Sequence, residues 1–274
     1  MQHQIIEDLC VKEHIDSEEE IRFRVDFLKQ YLHGSGMKGY VLGISGGQDS
    51  LLAGLLIQQA VHELNDESVE TSPYTFCAVR LPYGSQQDEA DAQQAIDFIE
   101  PDQRITVNIR AAVDASIKAF REAVGEEMSD FVKGNTKARE RMKVQYDLGA
   151  HFRFLVAGTD HAAEAVTGFY TKFGDGACDV APLFGLTKSQ GKQLLEYFGA
   201  PSLFYTKAPT ADLEDDKPQL PDEEALGLTY REIDAYLTGT DISLESRKRL
   251  ESMYVRTMHK RELPVTPFDS WWAE

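Results

Sequence analysis

The chain has 274 residues, 42% of them hydrophobic and 27% charged, which predicts one large α/β domain or two small ones with a buried core. Its net charge of −18 disfavours nucleic acid and anionic lipid as partners. No run approaches the roughly 18 apolar residues that cross a bilayer, and we see no secretory signal, so neither a membrane span nor export is expected. The widely spaced Cys10, Cys77 and Cys178 predict reduced thiols in the cytoplasm.

The first part of the chain alternates helical and strand patterns. Apolar residues recur at helical spacing after Asp16, a capping residue, until Gly34 and Gly36 end the pattern. Short apolar runs of the kind found in buried parallel strands follow, separated by further helical patterns. The predicted strands lie at 40–44, 75–79, 104–109 and 154–158. The predicted helices that alternate with them lie at 51–64, 86–99, 111–124 and 129–148.

This alternation predicts an α/β fold with a doubly wound parallel sheet flanked by helices. Ligands bind such sheets beyond the carboxyl ends of the strands, so the segments 45–50, 80–85 and 159–164 should converge. The second half is less regular, with predicted loops at 174–176 and 208–221 and helices at 188–198, 229–237 and 243–260. Without repeats or a low-complexity linker, residues 1–274 are expected to form a single domain.

Residues 43–50, with the sequence GISGGQDS, connect a predicted strand to a predicted helix and are called the glycine loop below. Adjacent glycines let the backbone turn tightly against an anion, which the N–H groups of the following helix attract. Ser45 and Ser50 add hydroxyl donors, and Asp49 adds an oxygen ligand suited to Mg²⁺. A sharp bend without function is the plainer interpretation. The spacing fits neither a Walker loop nor a GxGxxG fingerprint.

The string SGGxDS after an apolar strand resembles the PP-loop of the ATP pyrophosphatases, which cleave ATP between its α and β phosphates. Further motifs occur in one order along the chain, at residues 80–84, 129–135, 137–142, 158–164, 171–176, 207–213 and 259–261. Together they resemble the ammonia-dependent NAD⁺ synthetases from residue 21 to residue 271. The resemblance implies an adenine nucleotide alpha hydrolase-like, Rossmann-like fold. It also implies a ligase that completes NAD biosynthesis by converting deamido-NAD⁺, ATP and ammonia into NAD⁺, AMP and pyrophosphate through an adenylated carboxylate.

The same resemblance assigns roles to individual residues. ATP would bind at Gly43, Ile44, Ser45, Gly46, Gly47, Gln48, Asp49, Ser50, Arg80, Thr159, Lys188 and Thr210. Asp49 and Glu164 would hold Mg²⁺ and, with Lys188, form the catalytic set. Deamido-NAD⁺ would bind at Phe131, Arg139, Phe169, Lys172, Asp175, Asp179, His259 and Lys260. Plainer interpretations are a solvated Glu164, a surface Arg80, a turn residue at Thr210 and core roles for the two phenylalanines.

The remaining expectations concern nitrogen supply, assembly and rival functions. Only about 40 residues precede the first strand, which leaves no room for a glutaminase domain, so free ammonia is the expected donor. The family implies a homodimer with the substrate site near its interface, for which the 129–148 helix and the aromatic tail offer surface. The acidic segment 212–216 is a candidate lid. Rivals are GMP-forming or asparagine-forming relatives, a tRNA-thiolating enzyme and a non-catalytic nucleotide sensor.

Overall fold

Four parallel strands form the central sheet of the computed structural model, which describes residues 1–67, 73–84, 89–207, 210–211, 220–262 and 264–273. The strands are β1 Gly39–Gly43, β2 Thr75–Arg80, β3 Gln103–Thr106 and β4 Phe154–Val156. They lie in the order β3-β2-β1-β4, and an isolated parallel bridge joins Ala157 to Val180 beyond β4. Because β1 is central, the glycine loop that follows it emerges from the middle of the carboxyl edge.

Helices cover both faces of this sheet. In chain order they are α1 Gln2–Asp8, α2 Ser17–Ser35, α3 Gln48–Glu67, α4 Glu89–Ile99, α5 Arg110–Val124, α6 Asp130–Phe152, α7 Ala162–Thr167, α8 Lys188–Tyr197, α9 Leu203–Thr206, α10 Asp222–Leu226, α11 Tyr230–Leu237, α12 Leu244–Arg256 and α13 Met258–Arg261. A short antiparallel ladder pairs β5 Thr210–Ala211 with β6 Leu220–Pro221, and a 3₁₀ turn spans Trp271–Ala273.

Side chains of β1 alternate between two hydrophobic cores, as the period of a strand requires. Tyr40 and Leu42 pack with α2, α3 and α8, whereas Val41 packs with α5 and α6 on the opposite face. Burial on both faces explains why this strand is apolar throughout. A third core, centred on Ile233 and Tyr236 of α11, joins α1, α7 and α12 beside the carboxyl edge. The third core positions the helices that supply charged residues to the site.

The predicted parallel sheet is confirmed, with corrections at the ends of several elements. β3 ends at Thr106 rather than at residue 109, because Asn108 turns the chain by accepting hydrogen bonds from the N–H groups of Gly84 and Arg110. The single helix predicted at 243–260 is wrong, since Thr257 ends α12 and bonds back to the carbonyl of Met253.

Two further differences concern α6 and the segment 208–221. α6 continues past the predicted residue 148 to Phe152, and Arg153 then adopts a left-handed conformation with φ 61°. The predicted loop at 208–221 contains the β5–β6 ladder, so that prediction was wrong at both of its ends. The acidic segment 212–216, proposed as a lid, lies outside the described residues.

The three cysteines form no disulfide, as expected for reduced thiols, and Cys77 is buried between the sheet and α5. Burial raises the pKa of the Cys77 thiol to about 11, which keeps it protonated and unreactive at neutral pH. Within the described part of the chain, every helix is too short or too polar to reach across a bilayer.

Candidate active site

The glycine loop has a backbone shape that only glycine accommodates at one position. Gly46 has φ +87°, and a Cβ atom there would lie 2.6 Å from the backbone nitrogen of Ala92 in α4. The hydroxyl oxygens of Ser45 and Ser50 lie 3.1 Å apart, and the N–H of Gly47 donates to the Ser45 hydroxyl at 3.3 Å. The two serines therefore hold the loop in shape, in addition to being candidate donors to an anion.

Charged residues from three helices meet beside this loop. Asp49 lies in the first turn of α3, Glu164 in α7, and Lys188 is the first residue of α8. The Lys188 ammonium donates to Asp49 Oδ2 at 2.7 Å. His161 Nε2 lies 3.6 Å from Asp49 Oδ1 and 3.7 Å from Glu164 Oε1. The four side chains thus form one cluster at the carboxyl edge of the sheet, in which His161 and Lys188 are buried and the two carboxylates are half-buried.

Burial and charge shift the pKa values of this cluster in opposite directions. Burial, reinforced by the charges of Asp49 and Asp160, raises the pKa of Glu164 well above its ordinary value. Burial would also raise the pKa of Asp49, but the charge of the Lys188 ammonium holds it below its ordinary value. Burial lowers the pKa of His161 to about 4, so its ring is neutral at pH 7. Asp49 and Lys188 thus form an ion pair beside a neutral imidazole and a Glu164 carboxyl that resists ionisation.

Carboxylate crowding extends beyond Glu164. Asp160 has its pKa raised to about 7, first by burial and then by the negative charges of Asp175 and Asp49. Burial likewise raises the pKa of Asp175, whose carboxylate faces the cavity described below. A divalent cation would relieve this repulsion and favour the ionised forms.

The donor atoms of the cluster fit such a cation. Ligand atoms of Asp49, His161 and Glu164 all lie within 4.8 Å of one another. Both ring nitrogens of His161 are buried and have no hydrogen-bond partner among the described residues. Magnesium commonly takes one or two protein carboxylates and completes its shell with water and phosphate. The two carboxylates fit that pattern, and the unpartnered imidazole offers a further donor.

The loop, together with Glu164 and Lys188 of the cluster, lines one cavity of about 600 Å³. The predicted residues that line it are Gly43, Ile44, Ser45, Gly46, Gly47, Gln48, Asp49, Ser50, Thr159, Glu164, Lys188, Phe131, Phe169, Asp175 and Lys260. The predicted residues that lie outside its lining are Arg80, Arg139, Lys172, Asp179 and His259. Thr210 pairs with Pro221 through its backbone, and its side chain is outside the described part. The structure therefore brings most of the predicted residues together.

The outlying residues have identifiable contacts. Arg80 forms an ion pair with Glu89, and Asp179 accepts a hydrogen bond from the N–H of Val156 in β4 at 2.7 Å. Arg139 donates to the carbonyl of Lys172, whose ammonium in turn donates to the carbonyl of His259. Arg139, Lys172 and His259 thus form a row of basic residues outside the cavity lining, which we call the outer basic chain.

The sequence patterns did not identify several residues of the site. Asp160 and His161 lie within the motif between Thr159 and Glu164, and their position directly after a strand was an available signal. Gln145 of α6 accepts a hydrogen bond from the N–H of Gly43 at 2.7 Å. Asp222, which is buried and lines the cavity, lies in no recognised motif. No local pattern pointed to Gln145 or Asp222.

A parallel sheet whose central strand leads into a glycine loop, with two carboxylates and a lysine at the same cavity, defines an α/β nucleotide-using enzyme of the adenine nucleotide alpha hydrolase-like fold. The sequence profile of the NAD synthase family matches residues 20–264. The chain belongs to the NAD synthase family.

Individual relatives agree with this assignment. The NH₃-dependent NAD⁺ synthetase of Halalkalibacterium halodurans is 68% identical over 272 residues, covering 99% of this chain and 100% of that protein. The crystal structure of NAD⁺ synthetase from Burkholderia pseudomallei superposes with a TM-score of 0.82 at 42% identity, covering 96% of each chain. The NMN synthetase of Francisella tularensis superposes with a TM-score of 0.81 at 31% identity, covering 93% of this chain and 100% of that one. The same fold thus occurs in synthetases named for two different products.

Proposed function

We infer that this chain is a ligase that amidates deamido-NAD⁺ with ammonia while converting ATP to AMP and pyrophosphate. The observation that carries this function is the shared cavity, in which the glycine loop faces the Asp49–Glu164–Lys188 cluster. Its volume of about 600 Å³ lies within the range of small-molecule sites. The family and the relatives named above support the reaction.

The glycine loop is proposed to bind the outer phosphates of ATP through its N–H groups and the N-terminus of α3. Asp49 and Glu164 would hold Mg²⁺, which supplies charge neutralisation at the phosphates. Lys188 adds a second positive charge, and its carbonyl accepts a hydrogen bond from Gln48 of the loop at 2.8 Å. The substrate carboxylate attacks the α-phosphorus and displaces pyrophosphate, and ammonia then displaces AMP from the acyl-adenylate, so the protein needs no nucleophile of its own. Catalysis would come from positioning and electrostatics.

Deamido-NAD⁺ is proposed to occupy the other end of the cavity. Phe131 and Phe169 present aromatic rings suited to the pyridine, and Asp175 lies with them in the lining. The Lys260 ammonium donates to the carbonyls of Gly168 and Tyr170 at 2.8 and 2.7 Å, which fixes it at the cavity wall. The outer basic chain offers cations for the pyrophosphate of a dinucleotide. Asp179 is proposed to bind its hydroxyls.

A homodimer with the site near its interface is also proposed. Phe131 lines the cavity although 67% of it is exposed, and Val132, next to it in α6, and Val124, at the end of α5, are 38% and 54% exposed. A second copy packed on this part of α5 and α6 would cover these apolar residues and close the cavity. The exposed Phe268 and Trp272 add apolar surface elsewhere. Sedimentation velocity should give a dimer mass. The cytoplasmic location stays a prediction.

Pyrophosphate release by the purified protein tests the reaction. We expect sustained release over many turnovers to require ATP, deamido-NAD⁺ and ammonium together, and NAD⁺ to form in equal amount. Without ammonium, adenylation of the carboxylate allows at most one equivalent of pyrophosphate per site. Sustained release without deamido-NAD⁺ or ammonium would contradict the proposal, as would the absence of release from all three. Glutamine supporting the same rate as ammonium would contradict the assigned nitrogen donor.

The substrate is tested in the same assay with nicotinate mononucleotide in place of deamido-NAD⁺. The likeness to an NMN synthetase makes this the closest competing substrate. We expect a much lower kcat/KM for the mononucleotide, because it lacks the second half of the dinucleotide and therefore its contacts. A higher kcat/KM for the mononucleotide would reassign the substrate.

A further inference from the structure

The Lys188 side chain is enclosed between two partners. Only 9% of Lys188 is exposed, and its ammonium lies 2.7 Å from Asp49 Oδ2. Its second partner is the aromatic ring of Tyr230, whose centroid lies 5.1 Å from Nζ. A cation within about 6 Å of a ring centroid is attracted by the electron density of the ring face. Lys188 is therefore held by a carboxylate and by an uncharged ring.

Helix α11 also holds the backbone of Lys188. Asp234 lies one turn after Tyr230, so that both side chains lie on the same face of α11. The carboxylate of Asp234 accepts hydrogen bonds from the N–H groups of Lys188 at 3.1 Å and Ser189 at 2.7 Å. These bonds satisfy free donors at the start of α8. One face of α11 thus fixes Lys188 at its main chain and at its ammonium.

Tyr230 is itself firmly placed. It is 8% exposed, and its hydroxyl donates to Asp222 Oδ2 at 2.9 Å. Its backbone N–H donates to Glu223 Oε1 at 2.8 Å. Thr229 caps α11 through a reciprocal pair of hydrogen bonds with Glu232. These contacts give the ring a single orientation against Lys188.

We propose that Tyr230 is a positioning residue whose ring face holds the Lys188 ammonium in the cavity, ready to bind the ATP phosphates. The proposal rests on the role of Lys188 given under the proposed function. Lysine has a flexible four-carbon stem and loses substantial rotamer entropy when it is ordered. If Asp49 binds magnesium, the carboxylate is no longer free to order the ammonium. The ring of Tyr230 orders it without competing for the metal or for a phosphate.

Graded fluorination of the ring tests this role without changing its size greatly. Phenylalanine and its mono-, di- and trifluorinated analogues are introduced at position 230, and each fluorine weakens the attraction of a ring face for a cation. We expect kcat for amidation to fall stepwise, by about tenfold across the series, while KM for deamido-NAD⁺ changes by less than about twofold. Tyr230→Phe is the reference, because it keeps the ring and loses only the hydroxyl.

Tyr236 provides the matched control. It lies on the same helix, is fully buried, and its hydroxyl donates to Glu251 Oε1 at 3.0 Å. The same series at position 236 removes an equivalent hydrogen bond and should leave kcat unchanged across the fluorinated analogues. Thermal unfolding of every variant separates a loss of folding from a loss of positioning.

A Lys188→Met background completes the test. If Tyr230 acts through Lys188, fluorination at position 230 has no effect on kcat in that background. A flat series at position 230 would overturn the proposal. So would a fall in kcat that persists in Lys188→Met or follows the fall in thermal stability. If Lys188→Met alone leaves kcat unchanged, the proposed role of Lys188 is wrong. If Lys188→Met lowers kcat strongly while kcat is constant across the series at position 230, only the role of Tyr230 is rejected.

Discussion

The cavity lining has two adjoining sides: on one the glycine loop presents mainly backbone, and on the other α7, α8 and α10 present ionisable side chains. The loop depends on the space around Gly46, and its serines bond to each other. The second side, called the charged wall below, depends on charges such as those of Glu164 and Lys188, which interact through a poorly solvated interior. The two sides should therefore fail differently, the loop through its shape and the wall through its charge.

The largest effect is expected from the charged wall. Glu164→Gln keeps the size of the side chain and removes a negative charge from the proposed metal site. We expect kcat to fall by about 100-fold to 1,000-fold, the scale seen when one preorganised electrostatic group is lost. Binding of Mn²⁺, measured by calorimetry in the presence of ATP, should weaken in parallel.

Glu63→Gln is the matched control for this variant. The Glu63 side chain is 26% exposed, compared with 21% for Glu164. Glu63 forms ion pairs with Arg22 and Lys29 and lies outside the cavity lining. Its substitution should leave kcat within about twofold, as expected of a surface change away from the site. If Glu164→Gln behaved like Glu63→Gln, the assignment of Glu164 to the metal would be rejected.

The loop side is tested by a pair of adjacent glycines. Gly46→Ala should lower the free energy of unfolding by about 2 kcal/mol, because its left-handed conformation and the 2.6 Å contact with α4 both oppose a Cβ atom. At Gly47 the nearest atom is Ser45 Oγ at 3.4 Å, an ordinary contact. The Gly47→Ala variant should therefore unfold at the same denaturant concentration as the parent protein. Only its binding of ATP should be weaker. Equal stability of the two variants would refute this account of the loop.

His161 belongs to the cluster with Asp49 and Glu164, but its ring is neutral at pH 7. We expect His161→Asn to weaken Mn²⁺ binding about tenfold, which is the lower end for loss of a ligand or its supporting group. Mg²⁺, which prefers oxygen, should be affected less. Electron paramagnetic resonance of bound Mn²⁺ reports the change directly. An unchanged spectrum and affinity would mean that the imidazole neither binds the metal nor supports its ligands.

The two sides also differ in how well the sequence predicts them. β1, the glycine loop and the start of α8 at Lys188 follow from local patterns, and in the structure Thr187 forms a capping box with Gln190. The end of β3 could not be predicted, because it depends on Asn108 meeting Gly84 across the fold. Local signals therefore sufficed for β1, the glycine loop and the start of α8, although they did not give the ends of α6 and α12.

The charged wall was predicted only through the family resemblance. Glu164 and Lys188 were identified in this way, and their catalytic roles stay predictions. Asp222 and Tyr230 were not identified, because their meeting with Lys188 depends on how α10 and α11 pack against α8. Arg139, predicted to bind deamido-NAD⁺, lies outside the cavity lining and donates to the carbonyl of Lys172. Position relative to a cavity is a tertiary property that spacing along the chain does not encode.

The smallest effect is expected from ion pairs remote from both sides. Arg22 and Lys29 of α2 bind Glu63 of α3, and the hydrogen bond from Arg22 is the main cause that lowers the pKa of Glu63 to about 2. Because the folded pKa is depressed, this stabilisation is present above the ordinary pKa of 4.5 and is lost as the pH falls from there towards 2. Solvent screening limits it to about 1 kcal/mol.

Urea unfolding of the parent and of Glu63→Gln at pH 7 and pH 3.5 measures this contribution. The difference in free energy of unfolding between the two proteins should be largest at pH 7 and should shrink at pH 3.5, where the unfolded carboxyl is already protonated. Glu122→Gln, at a 64% exposed glutamate, controls for the change in net charge. A difference that grows on acidification would reverse the sign of the linkage. A difference that stayed equal at the two pH values would show that the stabilisation does not come from the charge of Glu63.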